Sequence, residues 1–231
     1  MAKVLVSLSG GLDSTTVLAK ALKEGYEASA VIFRYPSKHN SYESSAAAQV
    51  ASYFKVHSRS LDLSLVFSHF KSALLKSGGA LPEGHYEEET MRQTVVPFRN
   101  GIFMAVLAGL AESLGAAEIW LGTHAGDSFI YPDCRPDFVN AMTAAIEFGT
   151  DKKVTTATPF EFINKTELLR QGIYELGAAE VYKLTRTCYA DQPVACGRCG
   201  SCQERLGAFA ALGLVDPIEY KTRELLAKTG G

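Results

Sequence analysis

Short apolar runs alternate with longer segments of helical periodicity along most of the chain. The first run, residues 4–8, has the length and composition of a buried strand, and an apolar-periodic segment follows after two glycines. Repeated alternation of this kind predicts an α/β fold, with a mostly parallel sheet covered by helices on both faces. The predicted strands lie at residues 4–8, 28–33, 56–61 and 118–122, and the predicted helices at about 14–24, 42–53, 98–114 and 165–176.

The polar loops of the chain follow its predicted strands. Residues 9–14, 34–40 and 123–135 come directly after the first, second and fourth strands. Ligands of parallel sheets bind beyond the carboxyl ends of the strands, so we expect these loops to form one site. Residues 77–96 are rich in glycine, glutamate and proline and have no period, which predicts a functional loop or lid or, alternatively, a surface excursion without order.

Composition narrows the class of protein. The 231 residues suffice for one α/β domain, or for one domain with an appended module. Apolar residues make up 47% of the chain, as in a globular protein with a core, and the net charge of −2 argues against a general binder of nucleic acid or membrane surfaces. No apolar run approaches ~18 residues and no cleavable apolar segment opens the chain, so we expect a cytoplasmic location.

The loop Ser9-Gly10-Gly11-Leu12-Asp13-Ser14 joins the first strand to the first helix. Two glycines let the backbone turn its N–H groups toward an anion, and the helix N-terminus adds its positive end. Hydroxyl groups of Ser9, Ser14 and Thr15 add donors, and the lysine of a Walker loop is missing. A plain strand–turn–helix corner is the alternative. The loop resembles the pyrophosphate loop of the ATP pyrophosphatases, which cleave ATP between its α- and β-phosphates.

Four cysteines lie within fifteen residues near the C-terminus, and their spacing is C-x7-C-x2-C-x2-C. Four thiolates suit tetrahedral zinc, with Zn–S distances near ~2.3 Å. An iron–sulfur cluster or a set of redox thiols is the alternative. Cys134 lies outside this spacing and is expected to be a small packed residue or, if a base lies nearby, a reactive thiol. The candidate metal ligands are Cys188, Cys196, Cys199 and Cys202.

Further stretches extend the likeness to most of the chain. They are Thr-Val-Val-Pro-Phe-Arg-Asn at 94–100, Gly-Thr-His-Ala-Gly-Asp at 122–127, Tyr-Pro-Asp-Cys-Arg-Pro-Asp-Phe at 131–138 and Thr-Cys-Tyr at 187–189. With the phosphate loop and the cysteines, the chain resembles the 7-cyano-7-deazaguanine synthase (QueC) family from about Lys3 to Tyr220.

The resemblance implies a fold and a reaction. Members have an adenine-nucleotide α-hydrolase-like fold, bind one zinc ion per chain and are commonly homodimers. They use ATP, with Mg²⁺, and ammonia to convert 7-carboxy-7-deazaguanine to its nitrile on the route to queuosine. An acyl-adenylate and then an amide are the implied intermediates. We accordingly expect an ATP-binding domain over residues 1–180 and a zinc-binding segment, packed on it, over 181–231.

The resemblance also implies roles for residues of the matching motifs. The loop would hold ATP and its leaving pyrophosphate, with Asp13 acting through Mg²⁺ or by fixing the loop. The implied catalytic residues are Asp13, Ser14, Arg99 and Lys165. The implied ATP-binding residues are Ser9, Gly10, Gly11, Leu12, Asp13, Ser14, Thr15, Val31 and Phe33. The implied substrate-binding residues are Lys38, His39, Arg99, Asn100, His124, Asp127, Tyr131, Asp133 and Arg135.

Several of these side chains have a second interpretation. Arg99 would neutralise phosphate charge in the transition state or form a surface salt bridge. Lys165 would reach the nucleotide or be an ordinary solvated lysine. Asn100 would cap the long helix or bind a polar edge of the substrate, and His124 would move protons or be structural.

The same choice applies to the charged residues of the 123–135 loop. Asp127 and Asp133 would accept hydrogen bonds from a guanine-type edge, and Arg135 would pair with the substrate carboxylate, or these charges would pair within the loop.

Two positions depart from the family pattern. Pro36 stands where glycine is common, and Phe98 where glycine or asparagine is usual. Both departures affect the expected acceptor more than the ATP step, so the leading alternative is a related ligase that joins the activated carboxylate to an amine other than ammonia. A tRNA thiolase, an NAD-type amidating synthetase and a nucleotide sensor without turnover are further alternatives.

Overall fold

A single five-stranded parallel sheet organises the fold. The computed structural model describes residues 1–82 and 89–225. The strands are β1 Lys3–Ser7, β2 Glu27–Arg34, β3 His57–Asp62, β4 Glu118–Trp120 and β5 Thr155–Ala157. Their order across the sheet is β3-β2-β1-β4-β5, so the chain adds β2 and β3 on one side of β1 and then crosses back to place β4 on the other side. Crevices that bind ligands open where strand order reverses in this way.

Helices cover both faces of this sheet. The α-helices are α1 Leu12–Lys23, α2 Asn40–Tyr53, α3 Ser64–Phe67, α4 Arg99–Leu114, α5 Asp127–Ile130, α6 Pro136–Gly149, α7 Lys165–Tyr174 and α8 Gly200–Ala211. One face of β1 packs Val4 and Val6 into a hydrophobic cluster with α1, α2, α7 and α8. The opposite face of the same strand packs Leu5 with α4 and α6. This alternation follows from the two-residue period of a strand.

The predicted α/β class and the parallel sheet are confirmed, with displaced boundaries. The strand predicted at 118–122 ends at Trp120, because the chain there leaves the sheet toward the site. The loop predicted at 123–135 contains α5 and a 3-10 helix at Pro132–Cys134. In the expected lid at 77–96, a 3-10 helix spans Glu89–Thr94, whereas residues 83–88 lie outside the described part of the chain.

Within the described ranges, no helix has both the length and the apolar composition needed to cross a membrane.

Candidate nucleotide-binding site

A cleft of about 180 Å³ opens at the carboxyl edge of the sheet. The loops after β1, β2 and β4 form its walls, together with the N-termini of α4 and α7 and residues 186–189. The three polar loops singled out in the sequence therefore do meet at one place. Of the implied site residues, the described cleft is lined by Ser9, Gly11, Asp13, Ser14, Phe33, His39, Arg99, Asn100, Asp127 and Lys165.

Gly10 allows the phosphate loop to lie against α2. Its φ is +86°, and a Cβ built there would lie 2.5 Å from both the Glu43 carbonyl oxygen and the Ala47 nitrogen. Its own carbonyl accepts a hydrogen bond of 2.7 Å from the Arg186 N–H. Only glycine combines this left-handed conformation with so close an approach of two backbones.

Hydroxyl groups brace the loop from inside. Ser9 Oγ accepts the Gly11 N–H at 3.2 Å and lies 3.0 Å from Ser14 Oγ. Thr15 Oγ1 instead donates to the Gly11 carbonyl at 2.7 Å and is fully buried. Ser9 and Ser14 thus face the cleft at the positive end of α1, a geometry suited to phosphate, while Thr15 fixes the helix start.

Lys165 lies between two carboxylates at the floor of the cleft. Its Nζ is 2.7 Å from Asp13 Oδ2 and 3.0 Å from Glu204 Oε2. Burial alone would raise the pKa of Asp13, but the Lys165 ammonium lowers it below its ordinary value. Burial would likewise lower the pKa of Lys165, and the two carboxylates raise it instead, so the ammonium keeps its charge. Lys165 is therefore a buried cation fixed by two ion pairs and not a solvated surface lysine.

His124 lies beneath the same floor and is fully buried. Its Nδ1 accepts the Gly126 N–H at 3.0 Å, and its Nε2 is 3.6 Å from both Asp127 Oδ1 and Glu204 Oε1. Asp127 Oδ2 also accepts the His124 backbone N–H at 3.1 Å. These contacts couple the loop after β4 to the charges around Lys165.

Arg99, the first residue of α4, contributes a second cation to the cleft. Its Nη1 donates to Tyr35 Oη at 3.3 Å, and its guanidinium lies 5.9 Å from the centre of the Tyr131 ring. Burial would lower the pKa of Arg99, but Tyr35, Tyr131 and Asp133 raise it well above its ordinary value. The side chain is thus a permanent cation, aimed where a phosphate or carboxylate could bind.

Asn100 and Asp133 are bonded to each other. Asp133 Oδ2 accepts the Asn100 backbone N–H at 2.8 Å, which satisfies one of the free donors at the start of α4. The Asn100 amide donates to Cys134 Sγ at 3.0 Å. Capping of α4 therefore comes from Asp133, and Cys134 is buried beside the cleft wall.

Four further implied residues have their contacts elsewhere. Val31 and Leu12 pack in the hydrophobic clusters, and the Val31 carbonyl accepts the Leu8 N–H. Lys38 Nζ donates to the Gly79 carbonyl, and the exposed Arg135 donates to the Ser128 carbonyl at 3.2 Å. None of these four side chains is among the described residues that line the cleft.

Two tyrosines and a threonine form a chain of hydroxyl groups. Tyr131 Oη lies 3.0 Å from Thr94 Oγ1 and 3.2 Å from Tyr189 Oη. The ring of Tyr189 lines the cleft and packs 5.5 Å from the ring of His39, whose Nε2 pairs with Glu43 Oε2 at 3.2 Å. This wall offers a planar aromatic surface beside polar groups.

The two departures from the family pattern, Pro36 and Phe98, make packing contacts. Phe98 has a φ of +51° and is half-exposed. Its ring packs edge-on against the ring of Phe138, with 5.3 Å between the ring centres. The Pro36 carbonyl accepts the Lys76 N–H at 2.9 Å, which pairs this loop with residues 72–79. Neither residue lines the described cleft.

The four cysteines of the C-terminal segment converge on one point. Their Sγ atoms all lie within 4.8 Å of one another. Four sulfurs around one zinc ion at ~2.3 Å would stand about 3.8 Å apart, so this spacing suits a single tetrahedral ion. Backbone N–H groups of Cys196 and Cys199 point at Cys188 Sγ and Cys196 Sγ at 3.2 and 3.3 Å, as expected around thiolates. The cluster is compatible with a metal centre.

Three polar residues of the site were missed by the sequence analysis. Glu204 forms an ion pair with Lys165, and Glu43 pairs with His39. Arg186 donates hydrogen bonds to three backbone carbonyls of residues 190–193. Only the position of Glu204, two residues beyond a candidate metal ligand, set it apart in the sequence. Its partner is 39 positions away along the chain, at the start of another helix.

The parallel sheet, its reversal between β1 and β4 and the glycine loop are those of the adenine-nucleotide α-hydrolase-like (PP-loop) fold. A model of the family described as "Queuosine biosynthesis protein QueC" matches residues 3–213. The 7-cyano-7-deazaguanine synthase of Porphyromonas gingivalis is 44% identical over 217 residues, which cover 94% of this chain and 96% of that protein. The synthase of Pseudoalteromonas atlantica is 42% identical over 219 residues, covering 95% and 99%. The chain belongs to the QueC family.

Among solved structures, the NMN synthetase of Francisella tularensis matches with a TM-score of 0.49 and 14% identity, covering 93% of this chain and 78% of that one. This likeness is too low to support an argument about activity.

Proposed function

We propose that the chain converts 7-carboxy-7-deazaguanine to 7-cyano-7-deazaguanine with ATP and ammonia. The observation that carries the proposal is the meeting of the phosphate loop, Lys165 and Arg99 in one cleft with the aromatic wall of Tyr189. The anionic groups of ATP and of the carboxylate need cations and N–H donors, while the flat heterocycle needs an aromatic surface. The relatives of near-equal length support the same assignment.

Activation of the carboxylate is the first step of the proposed reaction. One carboxylate oxygen attacks the α-phosphorus of ATP, the bond to the β-phosphate bridging oxygen breaks, and pyrophosphate leaves. Backbone N–H groups of the loop and the Ser9 and Ser14 hydroxyls receive the leaving group. Lys165 and Arg99 stabilise the charge that grows on the phosphate oxygens.

Formation of the amide and its conversion to the nitrile complete the proposed reaction. Ammonia attacks the acyl carbon, AMP leaves with the activated oxygen, and the amide forms with release of a proton. A second ATP activates the amide oxygen with loss of another pyrophosphate, and departure of AMP and the remaining N–H protons leaves the nitrile. The reaction therefore consumes two ATP for each nitrile.

Two metal ions belong to the proposal. Asp13 Oδ1 is buried and has no hydrogen-bond partner among the described residues, which fits a carboxylate that binds Mg²⁺. Zinc on the four cysteines would hold the described part of the segment that begins at residue 181 folded against the ATP-binding domain that precedes it. Bound to the thiolates, zinc supplies folding energy rather than chemistry at the cleft. We further expect a homodimer.

Release of pyrophosphate tests the first step. We expect pyrophosphate and the acyl-adenylate to form with carboxydeazaguanine and ATP, and not with guanine or with ATP alone. AMP, amide and nitrile would follow only when ammonia is present. Consumption of carboxydeazaguanine only with a different amine would support the related ligase instead.

A further inference from the structure

Glu204 takes no direct part in the steps of the proposed reaction. It lies on α8, whose first turn carries Cys202 and whose N-cap is Cys199. Its side chain leaves this helix toward the cleft floor, where Oε2 reaches Lys165 and Oε1 approaches His124. A carboxylate of the metal-binding segment thus contacts the catalytic lysine of the other part of the chain.

Three helix N-termini converge at this point. Asp13 is the second residue of α1, Lys165 is the first residue of α7, and Glu204 is the fifth residue of α8. The Lys165 side chain is 7% exposed, and its ammonium contacts both carboxylates. Removal of either carboxylate would leave the other as its sole anionic partner among the described contacts.

We propose that Glu204 is a positioning residue that holds the Lys165 ammonium at the phosphate end of the cleft and thereby links the metal-binding segment to ATP cleavage. The inference rests on the proposed function of the cleft. Glu204 acts through Lys165 and not on the substrate. The metal ligands set the start of α8, so they also set where its carboxylate stands.

The proposal has a distinctive consequence for a pair of substitutions. Glu204 contacts Lys165 at 3.0 Å and acts only through it, so Glu204→Gln should impair the wild-type protein but have little further effect once Lys165 has been replaced. A residue that acted on the nucleotide directly, or only on the fold of α8, would add its own loss in both backgrounds.

The test is a double-mutant cycle of Glu204→Gln and Lys165→Met, with Glu167→Gln as the matched control. Glu167 is a half-exposed acid on α7 that pairs with Arg170. Turnover is measured as pyrophosphate release, binding as the Kd of α,β-methylene-ATP with Mg²⁺, and the zinc content of each variant is determined. Glu204→Gln is expected to keep its zinc and lose about 10- to 100-fold in kcat, with a smaller change in KM for ATP.

The cycle is decided by non-additivity. The double variant is expected to match Lys165→Met alone in its Kd for α,β-methylene-ATP and in its turnover. Independent, multiplicative losses, or a kcat of Glu204→Gln equal to that of Glu167→Gln, would overturn the proposal. Absence of nitrile from the wild-type protein, with the binding cycle as expected, would refute the proposed function and leave the role of Glu204 standing.

Discussion

The ammonium of Lys165 and the carboxylate of Asp13 form a salt bridge of 2.7 Å between residues 152 positions apart in the chain. Asp13 stands at the start of α1, just after the phosphate loop, and Lys165 at the start of α7. Their contact fixes the geometry at which phosphate charge would be stabilised. It also links the phosphate loop directly to the lysine.

Asp13→Asn should remove the ion pair with Lys165 and impair pyrophosphate release without unfolding the protein. The substitution keeps the shape of the side chain but removes its charge, so pyrophosphate release should fall about 100-fold or more. Pyrophosphate release with carboxydeazaguanine present is the measurement, and circular dichroism checks the fold. Asp62→Asn, which removes a surface partner of Arg34, is the control. Full activity of Asp13→Asn would refute the loop assignment.

Gly10→Ala should damage the protein more than Gly25→Ala. Both glycines have left-handed backbones, with φ of +86° and +84°, so each alanine costs about 1–2 kcal/mol from conformation. Around Gly25 there is open space, whereas a Cβ at Gly10 meets backbone atoms of α2 at 2.5 Å. Urea unfolding and ATP affinity provide the comparison. Equal losses of stability in the two variants would show that the close approach to α2 is unimportant.

Removal of the metal should unfold the C-terminal segment. Cys199→Ser deletes one of four ligands and should lower zinc content to near zero, with a loss of stability on the order of several kcal/mol. Elemental analysis and thermal unfolding measure both effects. Cys134→Ser, outside the cluster, should keep its zinc. A stable, active Cys199→Ser protein without metal would contradict the structural role.

Tyr182 should give a pH-dependent signature of folding. Burial raises its pKa well above 10, and its hydroxyl lies 2.8 Å from Thr16 Oγ1. Above pH 10 the unfolded phenol ionises while the folded one stays neutral, so this group destabilises the protein as pH rises. Tyr182→Phe should lose about 1 kcal/mol at pH 8 from the missing hydrogen bond.

The loss should shrink as the pH rises further. The wild-type stability curve should be steeper by up to about 1.4 kcal/mol per pH unit above pH 10. Urea unfolding from pH 8 to 11 measures both curves, with Tyr174→Phe, at an exposed position, as the control. Parallel curves for wild type and Tyr182→Phe would show that Tyr182 does not carry this dependence.

The sheet and its loops could be predicted because their pattern is local. Residues 4–8 and 28–33 are apolar runs, and the glycines after the first run mark the turn. Strand β5, Thr155–Ala157, lacks that pattern because it is three residues long and half-buried, and its place comes from pairing with β4. Helix α8 was not predicted either, because the cysteines and glycines of its first turn obscure the periodicity.

The residues of the site could likewise be predicted only where their arrangement follows from a local pattern. The four cysteines could be predicted as one cluster, since their spacing is itself the geometric constraint. Contacts of Lys165 with Asp13 and Glu204 join three separate helices and depend on tertiary packing. Likewise, no local pattern links Asp133 to the start of α4, although its carboxylate caps that helix.

Product analysis with ¹⁵N-labelled ammonium tests the central claim most directly. The protein is incubated with carboxydeazaguanine, ATP, Mg²⁺ and labelled ammonium, and the products are followed by mass spectrometry together with AMP. We predict a labelled amide that is converted to a labelled nitrile, with two AMP formed for each nitrile. Adenylation of carboxydeazaguanine that yields no labelled nitrile, or accumulation of the amide with one AMP each, would contradict the account.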